Sequence, residues 1–290
     1  MKYKNNINGL VLINKPQGLT SRDVVNIIQK KLNTKAGHTG TLDPLAEGVL
    51  VVCLGKATKL SQMLTSDNKE YIAEVTMGLE TDTLDSEGTI LKETNAQMPK
   101  EEIVKALNHF KTTYYQEVPK YSAVKVNGKK LYEYARNNEA VTLPKKEVTI
   151  YDIKLLDYQI KNNKTIFTMY TKVSKGTYIR SLIRDICHYL KTVGIMTKLT
   201  RTSQGQFKLK DTYTLIDINN GNYQIIPIEK AINLPIIQVD DKLKFKIING
   251  QILDGYSKDV LFIDKDNKPL AIYTNKDNKF RPKVMLYEAK

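Results

Sequence analysis

Residues 37–50 read GHTGTLDPLAEGVL and carry one aspartate, Asp43, directly before Pro44, in a glycine-rich stretch that runs into the apolar segment VLVVCL. Proline biases the preceding residue away from the α region. Flanking glycines let backbone and substrate approach closely. Asp43 therefore has two readings. It is either an Asx-type turn residue or a carboxylate held in an extended loop for nucleophilic or base chemistry. Spacing alone does not separate them.

Other chemistries lack their residues. Gly55-Lys56 is followed by Ala57, and Leu50 stands where a phosphate-binding loop needs its first glycine. No G-x-G-x-x-G opens a helix, and no G-x-S-x-G is present. The histidines His38, His109 and His188 have no helical metal-ligand spacing, and neither Cys53 nor Cys187 sits in a C-x-x-C, so no metal and no cofactor are expected. The two cysteines, far apart and flanked by apolar residues, read as buried thiols in a reducing compartment.

The 290 residues suffice for one large domain, or one large and one small, and 41% hydrophobic residues suffice for a packed core. Lysine and arginine exceed aspartate and glutamate by 45 to 31, a net charge of +14. That surplus fits a polyanionic partner such as nucleic acid. A lysine-rich surface from an AT-rich genome gives the same count. The start MKYKNNINGLVLINKPQG has no signal-peptide pattern, and no apolar run reaches membrane-spanning length. A cytoplasmic protein without a membrane segment is expected.

Several elements are needed to position Asp43. Gly9–Asn14 reads as a buried strand, broken by KPQG. Thr20 with Asp23 three residues on reads as a capping box, and Val24, Val25, Ile27, Ile28 and Leu32 follow at helical spacing. Val49–Leu54 and the alternating Glu70–Met77 read as strands, and Gly78–Gly88 as an acidic, turn-rich segment. A helix is expected over Glu101–Phe110, with Ile103, Val104, Leu107 and Phe110 on one face. A hairpin is expected at Asn127-Gly128, and a short helix over Leu131–Asn138. Strands follow at Val148–Leu156 and Thr165–Val173. A helix then starts near Tyr178, with Ile179, Leu182, Ile183, Ile186 and Leu190 on its apolar stripe. The spacing is not a regular βαβ repeat, so the expected class is α+β with a mixed or antiparallel sheet. Beyond Pro235, strand-like runs at Lys244–Ile248, Val260–Ile263 and Leu270–Thr274 alternate with turns, which predicts a small β-rich domain over 236–290 after a catalytic domain over 1–235.

The stretch Gly37–Gly55 resembles the catalytic signature of the TruB-type tRNA pseudouridine synthases. Five further segments resemble that family in order: GLVLINKPQGLTS, Lys69-Glu70-Tyr71, GLETDTLDSEG, QEVPKYSAVKVNGKKLYEYAR and SKGTYIRS. The resemblance implies an isomerase that converts the T-loop uridine at tRNA position 55 to pseudouridine; the basic, aromatic surface gives a second reading, an RNA-binding module that helps tRNA fold, and both roles can hold together. It implies that the tail is a PUA-like RNA-binding domain. It also implies that Asp43 is the catalytic residue, that Tyr71 stacks on the extruded base, and that Tyr178, Arg180 and Leu199 line the base pocket. Arg180 would pair with Asp43 or with an RNA phosphate. On local grounds it is an exposed arginine in a first helical turn, where the helix dipole disfavours a cation.

His38 is matched to the signature's histidine, as an RNA or loop contact; its plain reading is a hydrogen-bonded loop histidine. Lys15 supports the active site or caps the first strand. Thr200 stands where the family often has arginine. The isomerisation requires no redox cofactor or energy donor, in keeping with the missing motifs. Lys125, Lys129, Lys130 and Arg136, interleaved with Tyr121, Tyr132 and Tyr134, fit a surface that tracks an RNA backbone. The expected partner is the tRNA T-arm. Compact length suggests a monomer with no obligatory protein partner, unlike the guide-RNA-dependent relatives that share the signature and work within a particle.

Overall fold

The computed structural model describes residues 5, 7–65 and 68–287. Strand β1 (Gly9–Lys15) leads into helix α1 (Ser21–Leu32), which Thr20 and Asp23 start with the expected capping box. Strands β2 (Ala36–His38) and β3 (Glu47–Leu54) flank the Asp43 loop. A short helix α2 (Ser61–Thr65) precedes β4 (Lys69–Met77), whose strict alternation of buried and half-buried residues marks a strand with one face in the core. The acidic turn segment carries β5 (Leu79–Thr81) and β6 (Ile90–Glu93). Helix α3 (Lys100–His109) buries Ile103, Ala106 and Leu107; Val104 lies outside that stripe and is exposed.

Strand β7 (Thr113–Glu117) follows, then the hairpin of β8 (Lys125–Val126) and β9 (Lys129–Lys130). Asn127 and Gly128 both take positive φ there, 50° and 82°, as a type I′ turn requires. Helix α4 (Leu131–Arg136) closes this segment. The long β10 (Lys145–Lys161) and β11 (Lys164–Val173) form an antiparallel pair, and α5 (Ile179–Tyr189) packs Ile179, Leu182, Ile183 and Ile186 into the core. Strands β12 (Gly194–Gln204) and β13 (Phe207–Lys208) come next, then α6 (Leu215–Asn220) and α7 (Ile228–Ala231). The tail holds β14 (Ile236–Gln238), α8 (Asp241–Ile248), β15 (Val260–Ile263), β16 (Pro269–Lys276) and β17 (Lys279–Met285).

The main sheet runs β1-β3-β12-β4-β11-β10-β7, with β2 added on β3 and β13 on β12. All its pairs are antiparallel except β3–β12, so the sheet is mixed, as expected. That parallel join is short, Thr200 opposite Glu47 and Arg201 opposite Gly48, and it unites the two halves of the sheet directly behind the Asp43 loop. Gly48 permits it. Its φ is 104°, and a Cβ there would lie 2.3 Å from the Arg201 carbonyl oxygen. Gly48→Ala is expected to cost at least about 2 kcal/mol of stability, because it adds backbone strain to a clash with main chain that cannot rotate away. Urea unfolding of the variant and the wild type measures it.

The tail sheet runs β14-β15-β16-β17. Its inner residues Leu261, Ile263 and Ile272 share one hydrophobic cluster with Leu10, Leu12, Val49 and Val51 of β1 and β3, so the tail packs on the body through a continuous core. One expected strand is a helix. Lys244–Ile248 belongs to α8, where the Asp240 carboxylate caps the Leu243 N–H at 2.7 Å and only Ile247 is fully buried. The alternation of Leu243, Phe245 and Ile247 mimics a strand, but the cap wins and turns Phe245 to solvent. Strand β12, essential to the site, was not anticipated. Its residues GIMTKLTRTSQ mix polar and apolar types because both faces meet specific partners. No helix among the described residues is long and apolar enough to cross a membrane.

Candidate active site

Asp43 sits where three elements hold one loop. From α1, the Ser21 hydroxyl accepts from the Leu42 N–H at 2.8 Å and donates to the Leu42 carbonyl at 3.0 Å. From β1, the Lys15 ammonium donates to the carbonyls of Leu19 at 2.6 Å, Pro16 at 2.8 Å and Pro44 at 3.3 Å. From β12, the Arg201 guanidinium donates to the carbonyls of Val49 at 2.7 Å, Gly40 at 3.0 Å and Thr41 at 3.5 Å, and Gln204 donates to the Thr39 hydroxyl at 2.6 Å. Backbone carbonyls of an irregular loop need such donors when they leave water. The loop is thereby fixed while the Asp43 side chain stays 37% exposed.

The carboxylate faces a buried guanidinium. Arg180, at the start of α5 and 6% exposed, approaches Asp43 at 2.9 Å and the buried Asp85 at 3.5 Å. The same two terminal nitrogens also donate to the carbonyls of Thr83 at 2.8 Å and Tyr121 at 3.1 Å. Asp85 is held in turn by the Thr83 hydroxyl at 2.5 Å and the Glu87 N–H at 3.1 Å. Of the two partners expected for Arg180, the structure contains the aspartate. The local reading of an exposed first-turn arginine is overturned: two carboxylates and two carbonyls compensate the cation at a helix start.

A cavity of about 290 Å³ opens on this pair. Asp43, Tyr71, Tyr178, Arg180 and Leu199 all line it, as do Tyr121, Lys69 and Arg201. Tyr71 and Arg201 are directly opposed across the β4–β12 ladder and so share one face of the sheet. Tyr71 and Leu199 are each 6% exposed and form an apolar floor. Tyr178 caps the start of α5, and its N–H donates to the Gln116 side chain at 2.8 Å. Burial, joined by the nearby Asp43 charge, raises its phenol above the ordinary range, so it is neutral at physiological pH.

Two expected site residues lie outside the cavity wall. Lys15 is fully buried behind the loop. His38 is half-buried at the end of β2, its Nδ1 lacks a partner, and burial together with the Arg201 and Arg22 charges lowers its pKa toward the neutral imidazole. Thr200 donates to Glu47 at 2.9 Å across the β3–β12 join, so its position serves the sheet seam. Asp85, Lys69 and Arg201 were not anticipated. A second aspartate in the TDTLD run was the one available sign of Asp85.

Lys15 gives a pH test. Burial lowers its ammonium from 10.5 to about 8, against the opposing pull of Asp43 and Glu87. Between these values the unfolded chain holds the proton and the folded chain does not, so this group's contribution to stability grows as pH rises from about 8 to about 10.5. Relative to Lys15→Met, the wild type is expected to gain about 3 kcal/mol across that window. Parallel denaturant titrations of both proteins at several pH values measure the difference.

Comparison with known proteins gives the family of the chain and of its fold. A chain in the crystal structure of a Cbf5–Nop10–Gar1 complex superposes with a TM-score of 0.70 at 27% identity, covering 96% of this chain and 85% of that one. A chain in the structure of an H/ACA RNP bound to a substrate RNA containing 2′-deoxyuridine gives 0.69 at 25% identity, with 97% and 85% covered. The sequence pattern of the TruB family pseudouridylate synthases, N-terminal domain, matches residues 26–179. A tRNA pseudouridine synthase B of Caldanaerobacter subterraneus subsp. tengcongensis is 40% identical over 283 residues, covering 96% of this chain and 98% of the relative. One of Staphylococcus aureus is 42% identical over 299 residues, covering 95% and 98%.

The fold and the carboxylate pocket thus define a pseudouridine synthase, an isomerase of the α+β class. Within that class the chain belongs to the TruB family, and it forms pseudouridine in tRNA.

Proposed function

We propose that the uridine modified is the one at position 55 in the T loop, and that Asp43 is the carboxylate that drives the reaction. The observation that carries this reading is the Asp43–Arg180 contact of 2.9 Å at the mouth of a cavity floored by Tyr71 and Leu199. Pseudouridylation breaks the ribose C1′–N1 bond, turns the uracil and joins C1′ to C5, whose proton is released while N1 gains one. Atoms balance without a co-reactant. The chemistry asks for an extruded base and a positioned carboxylate. Tyr71 gives a stacking face worth roughly 1–3 kcal/mol, Tyr178 and Leu199 bound the base, and Arg180 orients the carboxylate. Residues 236–290 act as a PUA-like RNA-binding unit, and the protein works as a monomer without guide RNA or protein partner.

The test is incubation of purified protein with an unmodified tRNA transcript, followed by mapping of pseudouridine. Product at position 55, lost when that uridine is replaced by cytidine, supports the reading. Product elsewhere, or none without added RNA or protein, overturns it.

The +14 charge makes a further expectation. Affinity for the T-arm falls at least tenfold between roughly 50 and 200 mM salt, since each phosphate contact releases counterions. Filter binding across that range measures the slope.

A further inference from the structure

Arg201 is the largest fully buried side chain among the described residues, at 1% exposure. Burying a cation costs several kcal/mol unless hydrogen bonds or an opposite charge compensate it. No carboxylate lies within ion-pair distance of Arg201 among the described residues. Its donors instead go to three backbone carbonyls, those of Val49, Gly40 and Thr41. Two of these belong to the loop that ends in Asp43, and the third belongs to the strand that the loop enters. Arg201 also takes part in the join through its own backbone, opposite Gly48.

A planar guanidinium directs its N–H groups in fixed directions. Arg201 can therefore set the angle between loop and strand in a way that a flexible ammonium cannot. The opposite side of the loop is fixed by Ser21, whose hydroxyl binds both the N–H and the carbonyl of Leu42, next to Asp43.

We propose that Arg201 is a positioning residue for the isomerisation: its guanidinium fixes the Gly40–Thr41 backbone against β3, and with Ser21 it sets where the Asp43 carboxylate meets the nucleotide. The proposal rests on Asp43 being the catalytic carboxylate. A small misplacement of a reacting group is costly out of proportion to its size, because effective molarity falls steeply with geometry.

The experiment measures single-turnover rate constants for Arg201→Lys, Ser21→Ala, the double variant and Asp43→Asn, with tRNA affinity and unfolding followed alongside. Arg201→Lys retains the charge and loses the planar fork. The expected result is a rate constant at least tenfold lower, with tRNA affinity within about twofold of wild type. Ser21→Ala is expected to lower it as well, and the double variant by less than the product of the two, since both act on one loop. A merely structural role lowers the amplitude by reducing the folded fraction and leaves the rate constant intact. That outcome, or independent effects in the double variant, overturns the proposal. If Arg201→Lys accumulates poorly, Ser21→Ala carries the test: an unchanged rate constant there rejects the shared positioning. Wild-type activity in Asp43→Asn refutes the catalytic reading itself, whereas an inactive Asp43→Asn beside an unimpaired Arg201→Lys refutes the positioning alone.

Discussion

Asp43→Asn is expected to lower the rate of pseudouridine formation by at least about a thousandfold, at the scale by which removing a catalytic acid, base or nucleophile slows a reaction. The change keeps the shape of the side chain and removes its charge and basicity. The loop itself should persist, because its anchors are backbone groups bonded to Ser21, Lys15 and Arg201 and none is the Asp43 carboxylate. RNA affinity should move by no more than a few fold, since most of it comes from phosphate contacts across a basic surface. Single-turnover assays with a uridine-labelled transcript measure the rate, and filter binding measures the affinity. Activity within tenfold of wild type would falsify the catalytic role of Asp43.

Arg180→Met is expected to damage both stability and activity. The substitution leaves Asp85, whose side chain is 6% exposed, as a buried carboxylate that has lost its cation. Breaking a buried pair from one side typically costs about 3–5 kcal/mol. Asp43, in contrast, is open to water and loses orientation more than solvation. The two losses are separable. Adding Asp85→Asn to Arg180→Met removes the stranded charge and should recover most of the stability. It should recover little of the rate, because the guanidinium that faces the Asp43 side chain at 2.9 Å is still missing. Calorimetric unfolding and single-turnover rates of the two variants make the comparison. Equal recovery of both quantities would show that Arg180 acts through folding alone.

The basic hairpin shows how surface chemistry and local packing share residues. Lys129 lies 4.8 Å from the Tyr134 ring centre, while Lys130 and Arg136 each lie 5.3 Å from that of Tyr132. These cation–π contacts hold the side chains in place; Lys129 is also paired with Glu139, whereas Lys130 and Arg136 have no carboxylate within ion-pair distance among the described residues. Tyr121, from the same basic segment, points the other way. Its hydroxyl donates to Asp82 at 2.9 Å, and its carbonyl accepts from Arg180. One segment of sequence therefore supplies both a basic outer surface and part of the wall of the pocket.

Much of the fold was legible because it is local. The Thr20–Asp23 capping box, the Asn127-Gly128 turn, the alternation of β4 and the apolar stripe of α5 each follow from neighbours in the chain. The errors arose where local signals conflict. In α8 a period-two pattern competes with an aspartate cap, and the cap prevails at the end of a short element with a single buried side chain. In β12 the pattern is irregular because two bulges, near Lys198 and Arg201, shift the register against β4. No periodic rule survives such shifts.

The site divides along the same line. Ordered motifs placed Asp43, Tyr71, Tyr178, Arg180 and Leu199 together before any geometry was known, and these five line one cavity. They could be named from sequence because each falls within a motif that resembles the family's own. Asp85 and Arg201 act through other groups, an arginine in one case and backbone carbonyls in the other, and a backbone carbonyl has no signature in sequence. Sequence by itself determined the family, and its motifs named Asp43 and four further residues that the structure gathers around one cavity. Only the tertiary structure decided that Arg180 belongs to Asp43 and Asp85 together, that His38 stands outside the pocket, and that a buried arginine anchors the loop. The physical reason is that a buried charge is tolerated only with compensating partners, and chain folding selects those partners from segments far apart in sequence.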